Sequence, residues 1–321
     1  MTVRRLLPII LVALAAGGAS AGTPPPVPVS NWTPTWSPDG RWIAYASTGD
    51  SGPDLWKTDG VHVRRIVRGG YDPDWSPDGT RIVFTRAELK GGLILAGGLA
   101  TVGSSGGTPR PVPTPSGRLY PQQPSWSPDG RMIAYTATGG CGSDYGVELV
   151  RPDGRDARGL ASSGSEFSAY LSPDWSPGGR QIAYYETGED NAIHIVTVRT
   201  GQTRRVYGVA RPERPSWSPD GSKLAFSTNL SRPGTLGSPF GPMFVLDLKT
   251  KRLRRLTSML GTDPAWSPRG KRIAFAARRS AGDSEIYLVD PDGSHLVQLT
   301  KTSRSARRSA PIAPPSPPCD G

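Results

Sequence analysis

A pattern of twelve residues that occurs six times constrains the fold of this chain more than any other feature. The first copy reads Pro-Thr-Trp-Ser-Pro-Asp-Gly-Arg-Trp-Ile-Ala-Tyr and begins at Pro34. The tryptophans of the six copies are Trp36, Trp75, Trp126, Trp175, Trp217 and Trp266. Their spacings of 39, 51, 49, 42 and 49 residues are typical of the blades of a β-propeller. The repeat therefore predicts one blade for each copy.

Each copy predicts two strands joined by a tight turn. We place Pro34 at the first residue of the inner strand, where a missing N–H does little harm. Ser37 to Gly40 carry the residues of a type I turn, with Ser first, Pro second and Gly fourth. Ile43, Ala44 and Tyr45 then form a second strand that is buried on both faces. Looser strand signals follow, and 40 Gly and 34 Pro suit many short strands. We expect an all-β, six-bladed propeller with four antiparallel strands in each blade.

The chain divides into four predicted segments. Residues 1–21 resemble a secretory signal, with Arg4-Arg5, a short apolar run and a small-residue cleavage site at Ala19-Ser20-Ala21. Residues 22–30 form an extended leader, which is either a linker or an added strand of the last blade. Residues 31–300 form the propeller, and residues 301–321 a disordered, basic, proline-rich tail. We expect a periplasmic or secreted monomer with no membrane span after cleavage; retention of the signal as an anchor is the alternative.

Recognisable catalytic or metal-binding patterns are missing from the sequence. The cysteines, Cys141 and Cys319, form a disulfide that pins the tail, stay unpaired or pair with another molecule. His62, His194 and His295 are scattered, so we expect ordinary surface or strand residues rather than metal ligands. The aspartate of the repeated turn is replaced in two copies, which a turn tolerates and a catalytic ring does not. We predict no catalytic residue, no metal site and no cofactor, with a bound ion in the central channel left open.

The irregular connections of the repeat are the predicted place of any binding site. The Ser-Pro-x-Gly turns lie on one face of the ring, and the longer loops lie on the opposite face, where functional residues usually concentrate. Exposed aromatic residues at such a rim suit the recognition of a peptide or a glycan. The candidate partner-binding residues are Tyr71, Tyr120, Tyr170, Asp144, Tyr145 and Phe240.

The net charge of +11 contains a recurring component. Arginine pairs fall on three predicted outer strands, at Arg64-Arg65, Arg204-Arg205 and Arg254-Arg255. Charged edges prevent neighbouring sheets from associating. They also offer a basic rim to an acidic partner, such as an anionic cell-wall polymer. Nucleic acid is not an expected partner, because the chain carries an export signal.

The Trp-Ser-Pro-Asp-Gly-x-x-Ile-Ala-Tyr pattern resembles the repeat of the TolB propeller family over nearly the whole predicted mature chain. The resemblance implies export and binding of proteins through one propeller face. TolB carries an α/β domain before its propeller, and we expect this chain to lack it. Similar repeats form the propeller of prolyl oligopeptidase-like enzymes, which also need a hydrolase domain.

The resulting hypothesis is an exported, non-enzymatic scaffold that binds a protein or peptide in the cell envelope or outside the cell. The alternative is a secreted propeller enzyme of the lyase or hydrolase type, or a glycan-binding protein, that uses the central channel. The two hypotheses make different predictions for the axis of the ring. Convergence of three or more ionisable residues at the axis, on the long-loop face, would weaken the scaffold hypothesis.

Overall fold

The computed structural model describes residues 30–49, 52–90, 93–138, 145–162, 169–188, 190–208, 211–228, 240–278 and 283–301. The predicted signal, nearly all of the leader and tail, Asp144 and both cysteines lie outside the described residues. Among the described residues, no helix is long and apolar enough to cross a membrane.

The described chain forms 24 strands, numbered in chain order. Blades one and two contain β1 (Asn31–Trp36), β2 (Ile43–Gly49), β3 (Gly52–Thr58), β4 (Val63–Arg68), β5 (Gly70–Trp75), β6 (Arg81–Lys90), β7 (Leu93–Gly103) and β8 (Arg110–Val112). Blades three and four contain β9 (Leu119–Trp126), β10 (Ile133–Thr138), β11 (Tyr145–Val150), β12 (Arg158–Ser162), β13 (Ala169–Trp175), β14 (Gln181–Thr187), β15 (Ala192–Thr197) and β16 (Thr203–Tyr207). Blades five and six contain β17 (Pro212–Trp217), β18 (Lys223–Thr228), β19 (Met243–Asp247), β20 (Leu253–Arg255), β21 (Gly261–Trp266), β22 (Ile273–Arg278), β23 (Ser284–Val289) and β24 (Val297–Gln298).

Each blade is a four-stranded antiparallel sheet whose strands are consecutive in the chain. This arrangement confirms the predicted six-bladed, all-β propeller. The first strand of each blade lies nearest the axis, and the fourth lies at the rim. The paired arginines fall on the rim strands β4, β16 and β20, and all six side chains are exposed.

The Ser-Pro-x-Gly segment forms the predicted turn. The Ser37 hydroxyl donates to Asp39 Oδ1 at 2.6 Å and accepts the Trp42 N–H at 2.8 Å. The Asp39 carboxylate also accepts the Arg41 N–H, and these bonds lower its pKa. Gly79, in the second copy, has φ of 70°, and a Cβ there would lie 3.7 Å from Cδ of Pro38 in the preceding blade. The turn glycine thus supplies the left-handed conformation and a close approach between blades.

The position of the proline differs from the prediction. Pro34 lies inside β1 rather than at its first residue, at an irregularity of the ladder between Trp32 and Thr35. The inner strands of the other five blades show the same shift at the equivalent residues. A bulge accepts proline because the ladder needs no N–H there. The proline therefore marks a bend in each inner strand rather than its start.

The core consists of layers of apolar side chains between neighbouring blades. Tyr135, Tyr184, Phe226 and Phe275, from the large-small-large triads, are fully buried. Alanines of the same triads, such as Ala183, face the large residues of the next blade in one cluster. The alternation predicted from the repeat therefore builds the blade interfaces.

The connection at residues 86–98 of blade two, one of the longer connections of the repeat, is mostly strand rather than loop. β6 and β7 extend into a long hairpin, with paired residues as far as Lys90 and Leu93. A shift in register between Thr85 and Ala87 marks where the extension leaves the blade. The apolar residues at 93–96 continue the strand pattern, which explains the extension.

The ring closes through side chains where blade six meets β1. Asn31 Nδ2 donates to Glu285 Oε2 at 2.9 Å and to Thr300 Oγ1 at 3.2 Å. Ser284 Oγ donates to the Asn31 carbonyl at 3.0 Å. All four residues are buried, and these bonds tie together residues some 250 positions apart.

We expect Asn31→Ala to lower the free energy of unfolding by about 1–3 kcal/mol, because it removes hydrogen bonds from buried polar groups. Urea unfolding of the full chain measures the change. Gln202→Ala, at an exposed position, is the control and should change stability little. Equal stability of the two variants would show that the Asn31 bonds do not close the ring.

Candidate functional site

The central channel is lined by the bulges of the six inner strands. It encloses a cavity of about 310 Å³ around the axis. Two sets of side chains line it, one residue before and one residue after each bulge proline. The pre-proline ring consists of Thr33, Asp72, Gln123, Ser172, Arg214 and Asp263. The post-proline ring consists of Thr35, Asp74, Ser125, Asp174, Ser216 and Ala265.

The pre-proline ring owes its position to an uncommon backbone conformation. All six residues have φ between 49° and 55°, although none is glycine. Left-handed conformations cost free energy for residues with a Cβ. The ring lies on the long-loop side of the channel, because each inner strand starts at that face. The post-proline ring lies nearer the Ser-Pro-x-Gly turns.

Side chains of the two rings join every blade to the next. Thr35 Oγ1 donates to Asp74 Oδ1 at 3.1 Å, and Asp74 Oδ2 accepts the Trp126 N–H at 2.7 Å. Gln123 Oε1 accepts the Ser172 N–H at 2.9 Å. These three bonds connect blades one to four in order.

The remaining blades are connected in the same way. Asp174 Oδ2 accepts the Trp217 N–H at 2.7 Å. Arg214 Nη1 lies 2.6 Å from Asp263 Oδ1, and Asp263 Oδ2 accepts the Thr33 N–H at 3.4 Å. The chain of contacts therefore runs around the whole axis and returns to blade one.

The channel carries more negative than positive groups. Four carboxylates, of Asp72, Asp74, Asp174 and Asp263, face a single guanidinium, that of Arg214. Arg214 is placed between two of them, since its Nη1 is also 3.9 Å from Asp72 Oδ1. A chain with net charge +11 thus has an acidic axis.

Burial raises the pKa of three of these carboxyl groups. The pKa of Asp74 rises to about 6 because of burial, opposed by hydrogen bonds from Trp126 N–H and Thr35. The pKa of Asp174 rises to about 7 because of burial, opposed by the Trp217 N–H, and the charge of Asp74 raises it further. Burial also raises the pKa of Asp72 to about 6, against the attraction of Arg214.

The structure disperses the aromatic residues predicted from the sequence. Tyr71 is half-buried against the core between blades one and two, and burial raises the pKa of its phenol. Tyr120 is 41% exposed at the start of β9. Tyr145 is half-buried against the core cluster that contains Leu171 and Tyr185, and burial raises its pKa too. Tyr170 lies in β13, and Asp144 is outside the described residues.

Phe240 is buried rather than displayed on a loop. Gly241 exchanges two backbone hydrogen bonds with Gly261, and this anchors the segment beside blade six. The Phe240 ring packs with Tyr45 and Ala276, with the Arg278 guanidinium 4.5 Å from its centre. The described residues that line the channel do not include Tyr71, Tyr120, Tyr145 or Phe240. Their role in partner binding stays a prediction.

Sequence reasoning missed the axial residues for an identifiable reason. They occupy the two variable positions that flank the proline of an otherwise uniform repeat. The available signal was the presence of charged residues at those positions. They are Asp72, Asp74, Asp174, Arg214 and Asp263.

Residues 141–314, just over half of the chain, match the model of the TolB beta propeller domain. The chain belongs to this family. Solved TolB structures share its fold at low sequence identity. A protein described as TolB from Agrobacterium tumefaciens is 22% identical, with a TM-score of 0.59 over 74% of this chain and 84% of that one.

Two further structures extend this comparison. TolB from Acinetobacter baumannii is 20% identical, with a TM-score of 0.59 over 85% of this chain and 63% of that one. Oligogalacturonate lyase from Vibrio parahaemolyticus is 14% identical, with a TM-score of 0.51 over 82% of this chain and 90% of that one. No curated protein shows significant sequence similarity. The propeller fold of this chain is therefore shared by TolB proteins and by an enzyme.

The raised pKa of Asp174 predicts a pH dependence of stability. Its folded-state pKa lies above the unfolded value, so the folded state holds more protons between about pH 4 and pH 7. This group therefore favours folding at low pH and loses that contribution as pH rises through about 7. Asp174→Asn keeps an acceptor for the Trp217 N–H without a charge.

We expect the stability of Asp174→Asn relative to the wild type to increase with pH, by up to about 1.4 kcal/mol for each pH unit in this range. Urea unfolding at several pH values from acidic to neutral measures the difference. Asp153→Asn, at an exposed turn, is the control. A difference that does not change with pH would show that Asp174 is ionised throughout.

Proposed function

We propose that this protein is an exported, non-enzymatic TolB-like propeller that binds a cationic segment of a partner protein at the long-loop mouth of its central channel. The observation that carries the proposal is the convergence of four carboxylates and one arginine around the axial cavity. A lysine or arginine side chain, or a chain terminus bearing an amine, complements that charge.

The size of the cavity supports a narrow ligand. A volume of about 310 Å³ lies at the lower end of the usual range of ligand pockets. It accommodates a side chain or the end of a peptide rather than a folded domain. The partner's remaining surface would then rest on the long-loop face, where the predicted rim residues Tyr120 and Tyr145 begin their strands.

The contacts of the axial groups support a scaffold role. Asp74 and Asp174 each accept a backbone N–H of the next blade, and Asp263 pairs with Arg214. Groups fixed in this way keep the channel open and its charge in place without moving. A rigid, charged opening binds a complementary segment with little loss of conformational freedom by the protein.

The enzyme alternative is supported by a specific observation. Three ionisable residues of the pre-proline ring, Asp72, Arg214 and Asp263, converge at the axis on the long-loop side. Such convergence weakens the scaffold hypothesis by the criterion derived from the sequence. A carboxyl group with a pKa of about 7, as at Asp174, is also suited to proton transfer near neutral pH.

The charge of the channel argues against one class of enzyme. An anionic sugar such as an oligogalacturonate would place its carboxylates beside Asp72, Asp74 and Asp174, where like charges repel. A lyase acting on such a polymer would need a basic channel. The basic groups of this protein lie instead on the rim strands, so an anionic cell-wall polymer is a second, peripheral partner in this proposal.

Removing the charge of carboxylates that line the channel tests the binding mode. We expect Asp72→Asn combined with Asp174→Asn to weaken binding of a short lysine-rich peptide by about tenfold, equivalent to about 1.4 kcal/mol. Isothermal titration calorimetry at low and high salt measures this, with Asp153→Asn combined with Asp156→Asn, both at exposed positions, as the control for net charge. A peptide with glutamate in place of lysine should not bind.

Two results would contradict the binding proposal. One is equal affinity of the peptide for the wild type and the double variant. The other is turnover of a neutral oligosaccharide or peptide that the wild type performs and Asp174→Asn does not, which would support the enzyme alternative.

The predicted export signal leads to a separate prediction. We expect the protein recovered from the periplasm or medium of a bacterial host to begin at Gly22, because cleavage follows Ala21. N-terminal sequencing or intact mass measures the start. Recovery of the uncleaved chain in the membrane fraction would favour retention of residues 1–21 as an anchor.

A further inference from the structure

A cluster of three potential metal ligands lies in blade four, away from the channel lining. Glu186 is near the end of β14, His194 is in β15, and Asp190 lies in the turn between these strands. Tyr184 pairs with His194 and Glu186 with Ala192, so Glu186 and His194 project from the same face of the hairpin. The turn brings Asp190 back over that face.

We propose that Glu186, Asp190 and His194 bind a zinc ion. His194 Nε2 lies 3.0 Å from Asp190 Oδ2 and 3.3 Å from Glu186 Oε2. The three ligand atoms all lie within 4.8 Å of one another. Tetrahedral zinc, with bonds of about 2.0–2.2 Å, separates its ligand atoms by roughly 3.3–3.6 Å. The observed distances therefore need only a small expansion to admit the ion.

Two carboxylate oxygens, from Glu186 and Asp190, lie within 3.3 Å of the same imidazole nitrogen. A single Nε2 proton, directed at two carboxylate oxygens, can form only one well-aligned hydrogen bond or a divided, weaker pair. A cation at the centre would instead bind the imidazole nitrogen and both carboxylates at once. The side chains of Glu186 and His194 are only 9% and 11% exposed, so their attraction for a cation is little screened.

Neighbouring residues hold the three ligands in position. The Tyr184 ring stacks on the His194 ring with a centroid separation of 5.5 Å. Arg205 Nε lies 2.9 Å from Asp190 Oδ1 and 3.0 Å from Asp190 Oδ2, and so holds the carboxylate in place. Hydrogen-bonded support of this kind is common around metal ligands. The side chains of Glu186, Asp190 and Arg205 together contribute one formal negative charge next to the imidazole.

The turn that carries Asp190 is closed by a side chain. Asn191, with φ of 48°, donates from Nδ2 to the Gly188 carbonyl at 2.7 Å and accepts from Arg211 Nε at 3.3 Å. The Asp190 side chain is 35% exposed, which leaves a route for an ion and a water molecule. Three protein ligands would leave the fourth position of zinc for that water.

The ligand types favour zinc over the hard cations. Calcium and magnesium prefer sets composed of oxygen atoms, whereas one imidazole with two carboxylates is a usual zinc set. Sequence reasoning treated His194 as an isolated strand residue. The spacing of four residues from Glu186 to Asp190, and four more to His194, becomes informative only when the hairpin register is known.

The test is zinc binding to the full chain freed of metal with a chelator. Cys141→Ser and Cys319→Ser are introduced throughout so that thiols do not bind the ion. Competition with a chromogenic chelator measures affinity and stoichiometry. We expect one zinc ion per chain, with affinity at least tenfold lower in Asp190→Asn and in His194→Ala. An excess of Ca²⁺ should not displace the zinc.

His62→Ala is the matched control, because His62 Nδ1 lies 3.1 Å from Asp59 Oδ2 but has no third ligand in its described surroundings. It should bind zinc like the wild type. Asp190→Asn, at a partly exposed turn, serves if His194→Ala fails to fold. Unchanged affinity in Asp190→Asn, equal losses in His62→Ala, or no binding by the wild type would each overturn the proposal.

Discussion

The bulge at the proline of each inner strand is the constraint on which this propeller depends. It turns one residue per blade into a left-handed conformation and directs the two flanking side chains toward the axis. The contacts among those side chains then join all six blades in sequence, from Thr35 through Asp74 and onward to Asp263 and Thr33. A structural requirement, ring closure, thereby produces a charged channel.

The same arrangement explains how a strongly basic chain keeps an acidic axis. The arginines of the rim strands are exposed to solvent, where charge is screened within about 10 Å. The axial carboxylates lie in an enclosed cavity, where interactions with a ligand are stronger. Their neighbouring N–H groups and Arg214 supply enough compensation to hold them there, while burial keeps the pKa of Asp174 near 7. The molecule therefore presents different charges to partners at its centre and its rim.

The repeated elements of the fold could be predicted from sequence because each depends on local chemistry. Ser37, Asp39 and Gly40 form the same turn wherever that set recurs, and Ile-Ala-Tyr patterning suits a strand buried on both faces. The bulge was mispredicted because proline is also common at strand starts, and nothing local separates the two positions. The buried place of Phe240 depends on the backbone pairing of its neighbour Gly241 with Gly261, which the local sequence does not encode.

The axial site could not be predicted in the same way, because it uses the positions at which the repeats differ. Asp72 and Arg214 are more than a hundred residues apart in sequence and meet only when the ring closes. We propose that a cationic partner segment enters this channel. Hydrogen exchange of the full chain with and without a lysine-rich peptide tests it most directly. The account predicts protection confined to the inner strands β5, β13 and β21; protection of the rim strands alone, with unchanged inner strands, would contradict it.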